Sequence, residues 1–152
     1  MTLAQATAAC GPQNIKFNVK TDHQPPSFEP NPDKAIVIMD ESFAAAGNGF
    51  VEPTLKVGLD GKWIGATRSN SWYAFPVEPG EHHLCINWQS HLGEFSHLLA
   101  LSSLNAEPGK VYYFRSRIIS LGKVPILDLD PINEDQGRYL ALSSSRSIAK
   151  QK

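Results

Sequence analysis

Histidines are the residues in this sequence best suited to binding a metal ion or carrying a proton. His82, His83, His91 and His97 lie close together in the chain, and His23 lies farther away. Imidazole nitrogens are common zinc ligands. Adjacent strand residues point to opposite faces of a sheet, so His82 and His83 cannot readily bind one ion. We therefore expect histidines at the surface or the edge of the core, and no metal site.

An acidic cluster near the C-terminus could bind calcium or supply a pair of carboxylates for hydrolysis. Its members are Asp128, Asp130, Glu134 and Asp135. The spacing does not match an EF-hand loop, because Ile132 and Asn133 occupy the positions of a ligand and of the glycine. The NEDQ run from Asn133 to Gln136 is instead typical of a capping box, with acidic residues where the helix dipole favours them. Helix capping is the simpler interpretation of the cluster.

Aromatic residues on the central strands could form a platform on which sugar rings stack. The candidates are Trp63, Trp72, Tyr73 and Trp88, although buried strand aromatics are more common than exposed platforms. The sequence contains no Gly-x-Ser-x-Gly, His-Glu-x-x-His, phosphate-loop or Cys-x-x-Cys motif. We therefore predict no enzyme activity, no catalytic residue and no cofactor.

The only two cysteines, Cys10 and Cys85, are predicted to form a disulfide. An even cysteine count in a chain with a signal-like N-terminus favours a crosslink, whereas two free thiols would be expected in the cytosol. If Leu84 and Ile86 face the core, Cys85 points to the outer side of its strand, where a crosslink can reach it. The bond would hold residues 13–20 beside that strand.

The stretch from Thr54 to Trp88 contains the clearest turn chemistry in the chain. Asp60-Gly61 lies between two apolar runs and suits a type I′ turn, which requires positive φ at both central residues. In that register Leu59 faces Lys62, Gly58 faces Trp63 and Val57 faces Ile64. The predicted core face of this hairpin consists of Leu55, Val57, Leu59, Ile64 and Ala66. Trp63 would then cover Gly58 on the opposite face.

Two Glu-Pro-Gly turns, at residues 78–80 and 107–109, each precede a further strand, with proline presetting φ and glycine accepting a positive φ. Leu127 and Leu129 are predicted to face away from Asp128 and Asp130. The pattern predicts a mainly β protein: an antiparallel, immunoglobulin-like or PEGA-like β-sandwich of about eight or nine strands with a short C-terminal helix ending near Leu142. A small closed barrel is the alternative.

The hairpin sequences resemble a known group of modules. The pattern VxLDGKxIG from Val57 to Gly65, an aromatic strand, and PGEHxLxI from Pro79 to Ile86 are similar to PEGA-type β-sandwich modules of bacterial envelope proteins. The segments AEPGKVYYFR and DLDPINEDQGRYL resemble an uncharacterised family of secreted bacterial domains built on similar hairpins. The likeness covers residues 34–142. It implies a fold and an extracytoplasmic setting, and it implies no activity.

The domain prediction follows from the two ends of the chain. Residues 1–12 contain Ala-x-Ala patterns that resemble the end of a secretory signal peptide, so we interpret them as an export-signal remnant or a disordered N-terminus. Residues 13–142 form one β-sandwich domain, and residues 143–152 are predicted to be a flexible tail. We expect the protein in the periplasm or at the cell surface, with a lipid anchor on Cys10 as a minority alternative.

Composition narrows the choice of partners. The net charge of −1 and a pI near 6.5 give no reason to expect nucleic acid or an anionic membrane. No apolar run approaches the roughly 20 residues of a membrane-spanning helix. The leading hypothesis is a non-enzymatic envelope or secreted module that contacts another protein or the cell wall. A carbohydrate or small-ligand module using exposed aromatics is the second, and a hydrolase using the acidic cluster is the third.

Overall fold

The computed structural model describes residues 1–42, 53–89, 96–121 and 124–152. His91 lies outside these residues, as do most of residues 42–53 and 89–96, whose sequences are typical of connecting loops. The elements in chain order are α1 (Leu3–Ala6), β1 (Phe17–Asp22), β2 (Ala35–Glu41), β3 (Thr54–Leu59), β4 (Lys62–Thr67), β5 (Ser71–Val77), β6 (Gly80–Gln89), β7 (Leu99–Ala106), β8 (Val111–Leu121), β9 (Val124–Ile132), α2 (Glu134–Leu142) and β10 (Ser145–Gln151).

The ten described strands form two sheets. The six-stranded sheet has the order β1-β10-β5-β2-β8-β9, and the four-stranded sheet has the order β4-β3-β6-β7. The mainly β prediction is confirmed, and two separate sheets replace the closed-barrel alternative. The purely antiparallel expectation is corrected, because β2 runs parallel to β8 and β10 runs parallel to β5. Strand β2 is almost wholly buried, as parallel neighbours usually are.

The main core lies between the two sheets. Alternate residues of facing strands supply it, and its largest members include Val37, Met39, Leu55, Val57, Phe75, Leu84, Ile86, Trp88, Phe114, Leu127 and Leu129. Both leucines of β9 point inward while Asp128 and Asp130 point outward, as the alternation predicts. A second cluster on the outer side of the six-stranded sheet packs Ile38, Trp72 and Tyr113 under α2.

The predicted β3–β4 hairpin is present, with Asp60 at φ 50° and Gly61 at φ 92°. Leu59 faces Lys62 and Gly58 faces Trp63, as expected. The register then shifts by one residue, so Val57 faces Gly65 and Lys56 faces Ala66. Ala66 is therefore on the outer face of the hairpin instead of the predicted core face. A bulge of this kind cannot be read from alternation, because a single extra residue reverses every later side chain.

Helix α2 begins and ends where the sequence predicts. The Asn133 side chain accepts a hydrogen bond from the Gln136 N–H at 2.8 Å. Gly137 lies directly against the ring of Tyr113, with no room for a side chain. The helix can therefore pack closely onto the six-stranded sheet at this point.

The C-terminal residues correct the prediction of a flexible tail at 143–152. Residues Ser145–Gln151 form β10, which pairs with β1 over six positions and with β5 at Ser71 and Trp72. The Arg146 guanidinium donates to the Asp22 carboxylate through Nε and Nη2. The Ser147 hydroxyl donates to the Ala66 carbonyl. Few of these side chains are apolar, so the backbone ladder and these polar contacts hold the segment.

At the N-terminus, Leu3–Ala6 form the short helix α1 within residues 1–12, which we predicted to be an export-signal remnant or a disordered terminus. Cys10 and Cys85 form the predicted disulfide, with their Cα atoms 5.2 Å apart. Residues 8–17, which we call the strap, cross the outer face of the four-stranded sheet. The Trp63 indole donates to the Pro12 carbonyl at 2.7 Å and lies between Gly11 and Gly58, where side chains would collide with the ring. Because Cys10 Sγ is bonded to Cys85, it carries no lipid in this form.

Candidate interaction surface

Strand β7 is an edge of the four-stranded sheet whose side chains include no charge and no proline. Its sequence, LALSSLNA, pairs with β6 on one side only. Leu99 and Leu101 point outward and are 38% and 43% exposed. An open edge without charge, proline or bulge is a template on which another strand can pair. β7 is therefore the strand whose position most favours contact with another polypeptide.

The hydrogen-bond pattern shows which β7 residues are available for pairing. The Trp88 N–H donates to the Leu98 carbonyl, in the same register as the β6–β7 ladder. Backbone groups alternate along an antiparallel pair, so Leu99, Leu101 and Ser103 direct their N–H and C=O groups away from β6. Within the described ranges β7 has no ladder partner on that side. Farther along, the Tyr112 hydroxyl donates to the Asn105 carbonyl and closes this end of the edge.

A groove of about 480 Å³ opens beside this edge, at the seam between the two sheets. We call it the seam groove. Ser103 and Leu104 form one side, and the first residues of β8 with Pro131 form the other. The hydroxyl of Tyr113 is buried in the wall and makes no hydrogen bond of normal geometry in the described chain, although the Arg138 guanidinium lies near enough to interact with it electrostatically. The volume is within the usual range for ligand pockets.

The charges at the mouth of the groove are already paired. Lys110 Nζ lies 2.7 Å from a Glu107 carboxylate oxygen, and Arg138 Nη2 lies 2.7 Å from Glu134. The Arg138 guanidinium also lies over the ring of Phe28, 5.1 Å from its centroid. Exposed pairs of this kind contribute little to stability, but they leave no net charge to attract an ionic ligand. The groove therefore suits a neutral occupant.

Two of the other sheet edges, β9 and β4, carry features that discourage pairing. β9 contains Pro125, Pro131 and the outward Asp128 and Asp130. β4 lies beside β10, which donates a hydrogen bond to it through Ser147. These are the usual protections of edge strands. β7 differs in carrying neither charge nor proline, although β9 of the other sheet approaches it without pairing.

A row of polar side chains crosses the outer face of the six-stranded sheet. One residue from each strand contributes, in the order Asp22, Arg146, Trp72, Asp40, Arg115 and Asp130. Burial raises the pKa of Asp40 to about 6, and the Ser144 hydroxyl and the Arg115 charge oppose that rise. The Ser144 hydroxyl donates to Asp40 at 2.6 Å. The row thus attaches the end of α2 and strand β10 to the sheet.

Three residues of the predicted acidic cluster form ion pairs with two different arginines. Asp128 and Asp130 flank Arg117, at 3.4 and 3.7 Å from its guanidinium nitrogens, whereas Glu134 pairs with Arg138. The neighbouring Asp128 side chain raises the pKa of Asp130, with burial adding to the rise and the arginines opposing it. The two β9 acids are thus held on one face and the helical acids elsewhere.

The histidines are dispersed. His82 Nδ1 lies 2.6 Å from Asp60 Oδ2, and its Nε2 lies 2.6 Å from the Glu78 carbonyl. Both partners are acceptors, so the ring is protonated when both contacts are hydrogen bonds. His83 faces Glu81 on the opposite face, and His23 and His97 are exposed. The described ranges contain no group of three or more metal-binding side chains.

The candidate aromatic platform is spread over three faces. Trp88 and Tyr73 contribute to the core between the sheets, and Trp72 is buried under α2. Trp63 is covered by the strap. A different group of rings, Phe28, Tyr112 and Tyr113, lines the seam groove.

Two buried acids, Asp40 and Glu41, were not singled out from the sequence. They end β2 and are 3% and 1% exposed. Glu41 accepts a hydrogen bond from the Thr67 hydroxyl at 2.8 Å, while its Oε2 makes no hydrogen bond of normal geometry in the described residues, although the Ser69 hydroxyl lies near enough to interact with the carboxyl electrostatically. The sequence signal was present in the direct continuation of the apolar run AIVIM into Asp40-Glu41. Acidic residues at a strand end ordinarily predict a turn, so burial was not expected.

Neither helix in the described part of the chain is long and apolar enough to cross a membrane. No protein-family model, curated protein or solved structure matches the sequence.

Proposed function

We propose that this protein is an exported, non-enzymatic interaction module that holds another polypeptide at its open sheet edge. The observation that carries the proposal is the uncharged free edge of β7 beside the seam groove. Three residues there, Leu99, Leu101 and Ser103, direct backbone groups to a side that has no ladder partner in the described part of the chain, and the two leucines are exposed. These are groups that recognise a polypeptide chain, and they do not constitute a catalytic arrangement.

The disulfide supports the exported setting. A buried crosslink between Cys10 and Cys85 is consistent with an oxidising compartment, where such bonds persist. We propose the periplasm or the cell surface as that compartment. The likeness of the hairpins to PEGA-type modules of envelope proteins and the immunoglobulin-like character of the sandwich belong to the same proposal.

The experiment compares peptide binding, cell-wall binding and hydrolysis on one purified, oxidised preparation. Binding is measured to immobilised random octapeptides and to purified cell-wall sacculi, and turnover is measured on panels of ester, glycoside and peptide substrates. We expect binding to a subset of peptides, no retention on sacculi and no turnover. Retention on sacculi alone would favour the cell-wall alternative, and turnover lost in an Asp128→Asn variant would favour the hydrolase.

Loss of peptide binding in Leu101→Lys, but not in Leu142→Lys, would locate the interaction. Both leucines are exposed, and Leu142 is the last residue of α2, which packs on β2 and β8 of the other sheet. The matched pair separates a general effect of added positive charge from an effect at β7. Equal binding by both variants and the wild type would place the interaction elsewhere.

A further inference from the structure

We infer that the partner is an extended, uncharged polypeptide segment that adds to β7 as a fifth strand of the four-stranded sheet. This inference rests on the proposed function and specifies its binding mode. It follows from the direction of backbone groups on β7, the absence of charge along that strand, and the neighbouring groove.

The backbone determines the conformation of the occupant. Leu99, Leu101 and Ser103 together offer three N–H and three C=O groups on the side of β7 that has no ladder partner among the described residues. Alternate donors and acceptors in strand geometry are matched only by another extended chain. A compact ligand could satisfy one or two of these groups, whereas a strand could satisfy all of them. The Asn105 carbonyl already accepts a hydrogen bond from the Tyr112 hydroxyl, so the ladder with the added strand would end before Asn105.

The side chains determine the chemistry of the occupant. β7 has no charged residue, and the cations at the groove, Lys110 and Arg138, are each paired with a glutamate. A charged partner segment would therefore lose hydration without gaining an opposite charge. Leu99 and Leu101 can pack against apolar side chains on one face of the added strand. Ser103 and Leu104 lie at the groove itself, so the added strand would pass beside it.

The length of the segment follows from strand geometry. The free edge from Leu99 to Ser103 spans roughly 13 Å at about 3.3 Å per residue, so a segment of five to seven residues suffices. A second copy of this chain could also offer an uncharged strand, through its own β7. We expect a heterologous peptide, because a peptide could contact the groove beside Ser103 as well as β7, whereas pairing between two copies of β7 would use the strands alone.

The test selects peptides from a phage-displayed random octapeptide library on the oxidised, full-length protein. A selected synthetic peptide is then added while backbone amide hydrogen exchange is followed by NMR. We expect slower exchange at Leu99, Leu101 and Ser103, with little change at Ala100 and Ser102, which already pair with β6. Peptides whose binding is lost in Leu101→Lys but that do not protect the first three amides would overturn the strand-addition mode and leave the proposed function intact.

A matched pair of variants adds a second measurement. Ser103→Pro removes one outward N–H without removing a donor to β6, and Ser103→Ala removes only the hydroxyl. We expect peptide affinity to fall about fivefold to tenfold in Ser103→Pro and to change little in Ser103→Ala. Equal affinities for the two variants would contradict the inference.

Sedimentation of the protein without peptide tests the other occupant. A concentration-dependent dimer that protects the same three amides would show that β7 pairs with a second copy, and the heterologous partner would then be rejected. Failure to select any peptide, with a monomer in solution, would reject both this inference and the proposed function. If the proline variant does not fold, the wild-type exchange measurement still decides between these outcomes.

Discussion

The side chain of Gln89 pairs with the backbone of Phe17 as a strand would. Its Oε1 accepts from the Phe17 N–H at 2.8 Å, and its Nε2 donates to the Phe17 carbonyl at 2.8 Å. The contact connects the end of the strap to the end of β6. Both residues are buried, so no water is available to replace either bond.

Replacing this amide should be costly. Gln89→Leu leaves the N–H and C=O of Phe17 without partners, and we expect a loss of about 2–4 kcal/mol in the free energy of unfolding. Urea unfolding followed by tryptophan fluorescence measures it. Gln151→Leu, at an exposed glutamine of β10, is the matched control and should change stability little. A Gln89→Leu loss no larger than that of the control would contradict the assigned role.

The disulfide should stabilise the protein mainly by reducing the conformational entropy of the unfolded chain. The crosslinked residues are 75 apart in sequence, for which chain-entropy estimates give about 4 kcal/mol. We expect the double variant Cys10→Ala, Cys85→Ala to lose stability of that order and to release the strap, seen as faster amide exchange at residues 8–17. Reductant should reproduce the effect in the wild type and leave the double variant unchanged. Two reactive thiols in denatured, unreduced, exported protein would refute the crosslink.

Glu41 should make the protein less stable as the pH rises. Burial raises the pKa of this carboxyl well above its ordinary value of 4.5, and the hydrogen bond from Thr67 only partly opposes the rise. When the pH is below the ordinary pKa, Glu41 is protonated in both the folded and the unfolded state, and its ionisation does not lower the free energy of unfolding. Above that pKa the unfolded state ionises while the folded state does not, so folding loses stability until the folded pKa is reached.

Glu41→Gln removes this penalty while keeping the shape of the side chain. We expect it to raise the melting temperature by at least roughly 2–4 °C near pH 8, about 1 kcal/mol, and to have little effect near pH 4. Circular dichroism melts across that pH range measure it, with Glu81→Gln as the exposed control. A loss of stability that is the same at every pH would show that Glu41 is needed as a carboxyl for packing.

The His82–Asp60 pair should stabilise the protein in a limited pH window. Burial lowers the pKa of His82, but hydrogen bonds to Asp60 and the Glu78 carbonyl outweigh it, so the net shift is upward. The pKa of Asp60 is lowered, because the contacts with His82 and the His83 N–H outweigh its burial. The protonated His82 ring contributes its full stabilisation when the pH is below its ordinary pKa of 6.5, and this stabilisation is lost as the pH rises through the pKa of the folded state. The carboxylate's contribution is present above 3.8 and is lost as the pH falls through its folded pKa.

His82→Gln should therefore lower stability most between about pH 4 and pH 6.5. We expect roughly 1 kcal/mol, reduced by solvent because the Asp60 side chain is 42% exposed. Melts of the variant and the wild type should converge at alkaline pH. His83→Gln, whose ring is largely exposed, is the control. A constant difference across the whole range would mean that the ring acts through packing alone.

Local chemistry could be predicted from the sequence wherever neighbouring residues decide the backbone. Asp60-Gly61 specifies its turn because both residues tolerate positive φ, and Asn133 specifies the start of α2 because its side chain reaches the Gln136 N–H. The pairing of Cys10 with Cys85 followed from there being only two cysteines. Alternation placed Cys85 on the outer face of β6, where the strap lies.

The tertiary structure decided the features that depend on distant partners. The bulge in the β3–β4 hairpin moved Ala66 to the outer face. The tail became β10 only because β1 and β5 offered it a ladder, and Asp40 is buried because Ser144 and Arg115 reach it from other elements. The open edge of β7 has the same origin. Its uncharged sequence was visible from the start, but only the order of strands made it an edge, because hydrogen bonds between strands form between residues that no local pattern connects.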